Sequence, residues 1–376
     1  MKKNIGVPRE IKSDEERVAI TPGGVELFRK NGNEVVIEKS AGEGSGFSDE
    51  EYKQAGAKIM NSASEVYSSA DLVLKVKEPQ EEEYEYLRED LIIFTFLHLS
   101  ANPSLAKALL KKKSIGISYD TVQNADGHLP LLAPMSEVAG KMAVQKGAQY
   151  LEKPSGGTGI LLGGIPGVLA GNVVIIGGGM VGVNAARVAL GMGARVSVLD
   201  IDANKLRQVN NIFDGQVNTI MSNSKSVEES VINADLLIGA VLIPGSQAPK
   251  VVKKEMVEKM KKGSVIVDVA IDQGGCIETC DQPTTHSNPV IEKYGVLHYS
   301  VANIPGAVPR TSTLALTNVT LSYGLEIADK GLNQAIKEDQ SLAKGLNTYK
   351  GYIVNETVAN SLGYDYTPID SFELKI

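Results

Sequence analysis

Four polar residues, Arg17, Lys77, His98 and Asp272, stand beside apolar runs, and each is of a type that does chemistry. In EERVAITPGG, Arg17 precedes a Thr-Pro-Gly-Gly turn that starts a helix. A guanidinium fork there can clamp a carboxylate through two parallel hydrogen bonds; taken alone, Arg17 reads as a surface ion pair with Glu15 or Glu16. In LVLKVKEP, Lys75 and Lys77 close an apolar run two residues apart, so both project from one strand face. Ammonium groups at a buried strand end are costly unless they meet anions, and we expect Lys75 to reach solvent while Lys77 faces an anion. In LIIFTFLHLS, His98 follows the next apolar run in register with Lys77, and a histidine there can move a proton near neutral pH. In SVIVDVAIDQGG, Asp272 follows another strand-like run and leads into a Gly-Gly turn, where a turn-capping aspartate is the plainer alternative.

A fifth feature is a turn. VVIIGGGMVGVNAARVAL sets Gly177, Gly179 and Gly182 in a G-x-G-x-x-G frame between an apolar strand and a helix. Gly177 permits the tight turn, Gly179 lets backbone approach a pyrophosphate, and Gly182 lets helix pack on strand. The helix start then offers unsatisfied N–H groups to phosphate. The frame alone is weak, but ARVSVLDID ends the next strand at Asp200, where a carboxylate accepts from an adenosine ribose diol and repels a 2′-phosphate. NAD is therefore expected over NADP. Lys205, a little further on, reads equally as a phosphate neutraliser or a surface lysine.

These residues need scaffolds. NIGV, EVVIE, AKIM, DLVLKV, LIIFTFL and SIGISY alternate with helical patterns before residue 135, and NVVIIG, RVSVLD, VNTIM, DLLIGAV, SVIVDVA and VLHYSV repeat the plan after 171. Alternation of that kind predicts parallel βαβ units. The fold class expected is α/β, two doubly wound Rossmann-like domains with a cleft between them, linked by two long helices. One helix is read over 136–153 with Ser136 as its cap; the other starts near 311 and stops at Gly331. If residues beyond 308 are helical only, they return to the first sheet. The division expected is 1–135 plus 308–376 as a discontinuous substrate domain and 136–307 as the cofactor domain. PSGGTGILLGGIPGVLAGN, between them, reads as a cover or hairpin over the second sheet.

At 376 residues the chain exceeds what one core usually supports. A composition 43% hydrophobic and 22% charged is that of a globular protein. The formal net charge of -7 with no basic block argues against a nucleic-acid partner. MKKNIGVPREIK has basic residues with no apolar run behind them, so no signal peptide or membrane anchor is expected and the cytoplasm is the expected compartment. Cys276 and Cys280 lack a nearby histidine pair at zinc spacing, so two reduced thiols, and no metal, are expected.

Together IGVPREIKSDEERVAITPGG, LKVKEP, FTFLHL, APMSEVAGKMA, GGGMVGVNAA, VIVDVAIDQGG and PGAVPRTST resemble the alanine dehydrogenase and pyridine nucleotide transhydrogenase family nearly end to end. The resemblance implies reversible NAD-dependent oxidative deamination of L-alanine to pyruvate and ammonium, in a homohexamer. It implies that Arg17 and Lys77 bind the substrate carboxylate and oxygen, that His98 is the acid/base and that Asp272 is the essential acidic residue. Met135 and Asn303 match substrate-pocket positions. Ser136, Gly177, Gly179, Met180, Val181, Gly182, Asp200, Lys205, Ser222, Val241, Leu242, Val269, Asp272, Val301 and Asn303 match cofactor contacts. Ile304 stands where the family pattern has a methionine, a swap of comparable volume that should cost little.

Three other readings share parts of this pattern. The NAD-binding part of proton-translocating transhydrogenase shares the fold and the glycine turn but can dispense with Lys77, His98 and Asp272. Saccharopine-type dehydrogenases have a different substrate pocket. A non-catalytic NAD-sensing module leaves the four polar residues without a purpose.

Overall fold

The computed structural model describes residues 2–241 and 248–372, so Leu242 lies outside the described residues. The chain divides into two compact units. One is the chain up to Pro134 together with the chain from Val308 onward; the other runs from Met135 to Ala307.

In the first unit the strands are β1 (Asn4–Val7), β2 (Glu34–Glu38), β3 (Lys58–Met60), β4 (Leu72–Leu74), β5 (Ile92–Thr95) and β6 (Ile115–Ser118). In the second they are β7 (Asn172–Ile176), β8 (Arg195–Asp200), β9 (Asn218–Met221), β10 (Leu236–Gly239), β11 (Val265–Asp268), β12 (Val290–Lys293) and β13 (Val296–Tyr299). The chain returns to the first unit for β14 (Leu346–Tyr349) and β15 (Tyr352–Ile353). Every residue of β5, β6, β10, β11 and β13 is buried, as sheets covered on both faces require.

The first sheet runs β15-β14-β6-β5-β4-β1-β2-β3 and the second β12-β13-β11-β10-β7-β8-β9. Setting aside β12, β14 and β15, which pair antiparallel, both sheets are parallel. Both have the doubly wound order 3-2-1-4-5-6. Each therefore has a switch point, between β1 and β4 in one and between β7 and β10 in the other. Connections leave these strands in opposite directions, opening a crevice at their carboxyl ends.

Residues after 308 are not helical only. The helix Pro309–Lys330 ends on Gly331 at φ 77, as its pattern predicts, but β14 and β15 then join the edge of the first sheet. Their connection is Lys350-Gly351, both at positive φ, the backbone of a two-residue hairpin turn. The first long helix begins at Ala133 and ends at Leu151, so Ser136 lies inside its first turn and does not cap it. Pro134 explains the earlier start, since proline is tolerated in a first helical turn. The glycine-rich segment after this helix makes a tight turn bridging Ile165 and Val168. Its Leu161, Ile165, Val168 and Leu169 side chains are exposed, so they do not serve as a cover over the second sheet.

Candidate active site

Arg17 lies on the connection after β1, Lys77 just beyond β4 and His98 just beyond β5, three neighbouring strands of the first sheet of which β1 and β4 flank the switch point. Glu15 pairs with Arg17 along a whole guanidinium edge, accepting from Nε at 2.6 Å and Nη2 at 2.5 Å. Both side chains are buried, so this is no surface ion pair. Burial pushes the Glu15 carboxyl up, but the charge and hydrogen bonds of Arg17, with Lys77 behind them, win and bring it down to about 2. The connection is also tied to the helix Pro309–Lys330. Thr313 Oγ1 accepts the Val18 N–H at 3.1 Å and lies 2.8 Å from Ser45 Oγ, which donates to Glu16 O.

Lys75 does not reach solvent. It is wholly buried, with Nζ 3.1 Å from Glu10 Oε2 and 3.0 Å from Glu83 Oε1. Glu83 in turn accepts the Tyr67 hydroxyl, and Glu10 accepts the Val76 N–H at 2.6 Å and the Lys77 N–H at 3.4 Å. One ammonium faces two carboxylates, so burial and the neighbouring charges of Glu83 and Glu15 outweigh Lys75 and push Glu10 up to about 7. Lys75 itself is held protonated by the two carboxylates, against its burial. The cluster fixes the backbone that presents Lys77, whose carbonyl accepts from Thr95 Oγ1. Glu78 connects Lys77 to His98: despite its burial, its carboxyl is lowered by Lys12, Lys77 and His98 in that order. His98 is half-buried at φ 47, its ring stacked on Phe96.

In the second unit the candidate residues collect at the carboxyl ends of the parallel strands. Gly177 follows β7, Asp200 ends β8, Ser222 follows β9, Val241 β10, Val269 β11, and Val301 lies beyond β13. Gly177 has φ 108, and a side chain there would strike the backbone of Ala240 on the strand across the switch point. A side chain at Gly182 would strike the Gly177 carbonyl. At Gly179 it would meet nothing within 4 Å, so packing does not demand that glycine and the space above it is open. The helix Met180–Gly191 starts there without a side-chain cap. Asp200 Oδ2 accepts the Gly178 N–H at 2.7 Å and Oδ1 the Asp202 N–H at 2.9 Å. Such a cradle fits a dinucleotide. Met180 is exposed, Val181 half-buried, and Lys205 is exposed on the helix Ala203–Ile212. Met135 is buried and Ser136 half-buried at the start of the long helix, where Gly140 packs directly on the Val181 backbone.

Asp272 is exposed on a short 3-10 turn after β11, and its Oδ2 accepts the N–H of Asn303 at 3.3 Å. Asn303 is buried at φ 63 beside the buried Ile304. The turn is keyed by Asp268, which the sequence did not single out. Wholly buried, Asp268 accepts from Ala270 N and Ile277 N, and Cys276 Sγ lies 3.6 Å away. Burial lifts its carboxyl to about 6 and pushes the Cys280 thiol up to about 12. Both cysteines are free and buried, and among the described residues no cluster suits a metal ion. No described helix is long and apolar enough to cross a membrane.

Two doubly wound units, one with an intact glycine turn and the other with basic and imidazole side chains at its switch point, define a dinucleotide-binding α/β protein with a second functional face. The alanine dehydrogenase/PNT N-terminal domain pattern matches residues 6–139 and its C-terminal counterpart residues 143–356. An alanine dehydrogenase of Methanococcus maripaludis is 58% identical over 97% of this chain and 98% of its own. A solved L-alanine dehydrogenase structure superposes with a TM-score of 0.90 at 48% identity, covering 96% of this chain and 99% of its own. A transhydrogenase from Sinorhizobium meliloti gives 0.81 at 25% identity, over 94% of this chain and all of its own. The chain belongs to the alanine dehydrogenase/PNT family. A nicotinamide dinucleotide cofactor goes with that membership.

Proposed function

We propose that this chain is an alanine dehydrogenase: L-alanine, NAD and water give pyruvate, ammonium, NADH and a proton, reversibly. The observation that carries the reading is the cluster of Arg17, Lys77 and His98 at one switch point, a set that dinucleotide binding alone does not need. Full-length similarity to alanine dehydrogenases supports it.

A nicotinamide held by the glycine turn and Asp200 would supply the acceptor for the hydride of alanine C2. Arg17, with one guanidinium edge held by Glu15, and Lys77 bind the carboxylate and fix C2. Positioning of this kind contributes several kcal/mol to a barrier. His98 and Asp272 move protons as ammonium is deprotonated and as water adds to the imine carbon. Met135 and Asn303 line the substrate pocket. Asp200 binds the adenosine ribose and selects NAD over NADP. Ser136, the Gly177–Gly182 turn, Lys205, Ser222, Val241, Val269 and Val301 complete the cofactor site. The partners are small molecules and further copies of this chain in a homohexamer, and the compartment is the cytoplasm.

The test is spectrophotometric. Purified protein is expected to reduce NAD with L-alanine at alkaline pH and to oxidise NADH with pyruvate and ammonium; silence in both directions removes the assignment. His98→Ala is expected to lower kcat about a thousandfold with NADH affinity nearly intact, and a variant of near wild-type kcat takes His98 out of the mechanism.

A further inference from the structure

His98 holds a left-handed backbone, φ 47, that a side chain other than glycine keeps only where its surroundings over-determine it. Part of what holds it is local. Its carbonyl accepts from Ala101 N at 2.9 Å and Asn102 Nδ2 at 3.3 Å. Its ring lies parallel to Phe96, 5.6 Å between centroids, and Phe96 is fixed edge-on by the buried Tyr119 at 5.1 Å.

The rest comes from the neighbouring strand. Nδ1 of His98 is 3.8 Å from Asp120 Oδ2. The other oxygen, Oδ1, accepts the Ser118 hydroxyl, and Ser118 Oγ accepts the Leu97 N–H at 2.9 Å. A closed ring of contacts thus runs from the backbone beside His98, through Ser118 and Asp120, back to the imidazole. Its members span the ends of β5 and β6, which are paired in register through Thr95 and Ser118. At 3.8 Å the carboxylate is too far for a hydrogen bond and near enough for a charge contact that strengthens when the ring is protonated.

From this ring we infer that Asp120 is a positioning residue for the reaction, acting through His98 and resting on the reading of His98 as its acid/base. A carboxylate on the Nδ1 side favours the tautomer with its proton there, leaving Nε2 to exchange protons with substrate or water. It also steadies the imidazolium once a proton is taken up. This is the arrangement of a base oriented by a third group, here supplied by SYDTV, a stretch with no feature of its own to mark it.

The test compares Asp120→Asn, Asp120→Glu, His98→Ala and the Asp120→Asn/His98→Ala double variant, reading kcat, KM for alanine and NADH affinity by fluorescence titration. Asp120→Asn is expected to lower kcat about tenfold to hundredfold, as loss of an orienting partner does, with NADH affinity within about twofold of wild type. Asp120→Glu is expected to recover most of kcat, and the double variant to be no slower than His98→Ala. Wild-type kcat in Asp120→Asn, a parallel loss of NADH affinity, or a further loss in the double variant overturns the proposal. Near wild-type kcat in His98→Ala is a separate result: it fails the acid/base reading itself, whatever Asp120 does.

Discussion

In the proposed cofactor site one carboxylate, Asp200, would meet two demands. Its oxygens accept the backbone N–H groups of Gly178 and Asp202 and so shape the glycine turn. Each oxygen keeps a second lone pair, which is what a ribose diol needs. Asparagine removes the charge, and with it the repulsion toward a 2′-phosphate, but its amide nitrogen also replaces one of the two acceptors, so the preference between cofactors rather than activity alone reads the charge. Asp200→Asn is expected to lower the ratio of kcat/KM with NAD to that with NADP by about tenfold, roughly 1.4 kcal/mol, and an unchanged ratio would show that the negative charge does not select the cofactor. At this scale the sequence marked Arg17, Lys77, His98 and Asp272 as candidates because each is a polar residue beside an apolar run, and the first three fall beyond neighbouring strands of one sheet. It was silent on their supports. Glu10, Asp120, Asp268 and Thr313 hold the backbone or side chains of the candidates through contacts that span up to the 295 residues between Val18 and Thr313, and nothing in local patterning marks them; Glu15 stood out beside Arg17, but as a surface partner rather than a buried one. Lys75 was misjudged because its two carboxylate partners, Glu10 from the connection after β1 and Glu83 from the short 3-10 helix Glu81–Tyr86 eight residues on, replace the solvent it was expected to reach.

Among the elements, what the sequence showed follows the kind of connection. Strands joined by helices stand out, because a buried apolar run followed by an amphipathic stretch has two periods to read. The strands that escaped notice, β12, β14 and β15, belong to hairpins turning at Tyr294-Gly295 and Lys350-Gly351, each pair at positive φ. An X-Gly pair between β-branched and aromatic residues was the available signal. Beneath β4 the buried Glu10, Lys75 and Glu83 make the first sheet's stability depend on pH. Glu10 is raised from 4.5 to about 7, so the folded state holds a proton that the unfolded chain releases sooner. The stabilisation from that proton is complete below the unfolded value and is lost as pH rises through the folded one. Denaturant melts across this window are therefore expected to show wild type losing stability relative to Glu10→Gln as pH rises, by on the order of 2 kcal/mol. Parallel pH profiles for the two proteins would show that Glu10 does not titrate in the fold.

For the molecule as a whole, the feature that bears on assembly is the segment 159–171. Leu161, Ile165, Val168 and Leu169 are 67%, 60%, 62% and 79% exposed, a run of apolar side chains on a tight turn rather than single scattered ones. The turn is well formed, with Val168 N donating to Ile165 O at 2.8 Å and Arg195 Nε holding the Ala170 carbonyl, so the exposure is not a frayed end. Leu162, beside them, is buried and anchors the segment to its own unit. Apolar side chains presented outward from a rigid base mark an interaction site, and the homohexamer proposed above would supply the partner as another copy of this chain. Burying such a turn is worth about 25 cal/mol for each Å² removed from water, and a charge placed in it reverses the sign locally. In size-exclusion chromatography with light scattering, wild type is expected as the hexamer and the Ile165→Glu/Leu169→Glu variant as a smaller species. Each unit has its own core away from this turn, so the variant is expected to keep wild-type circular dichroism. A wild-type monomer would remove the assembly altogether, and an undiminished hexamer in the double variant would place the subunit contacts elsewhere on the chain.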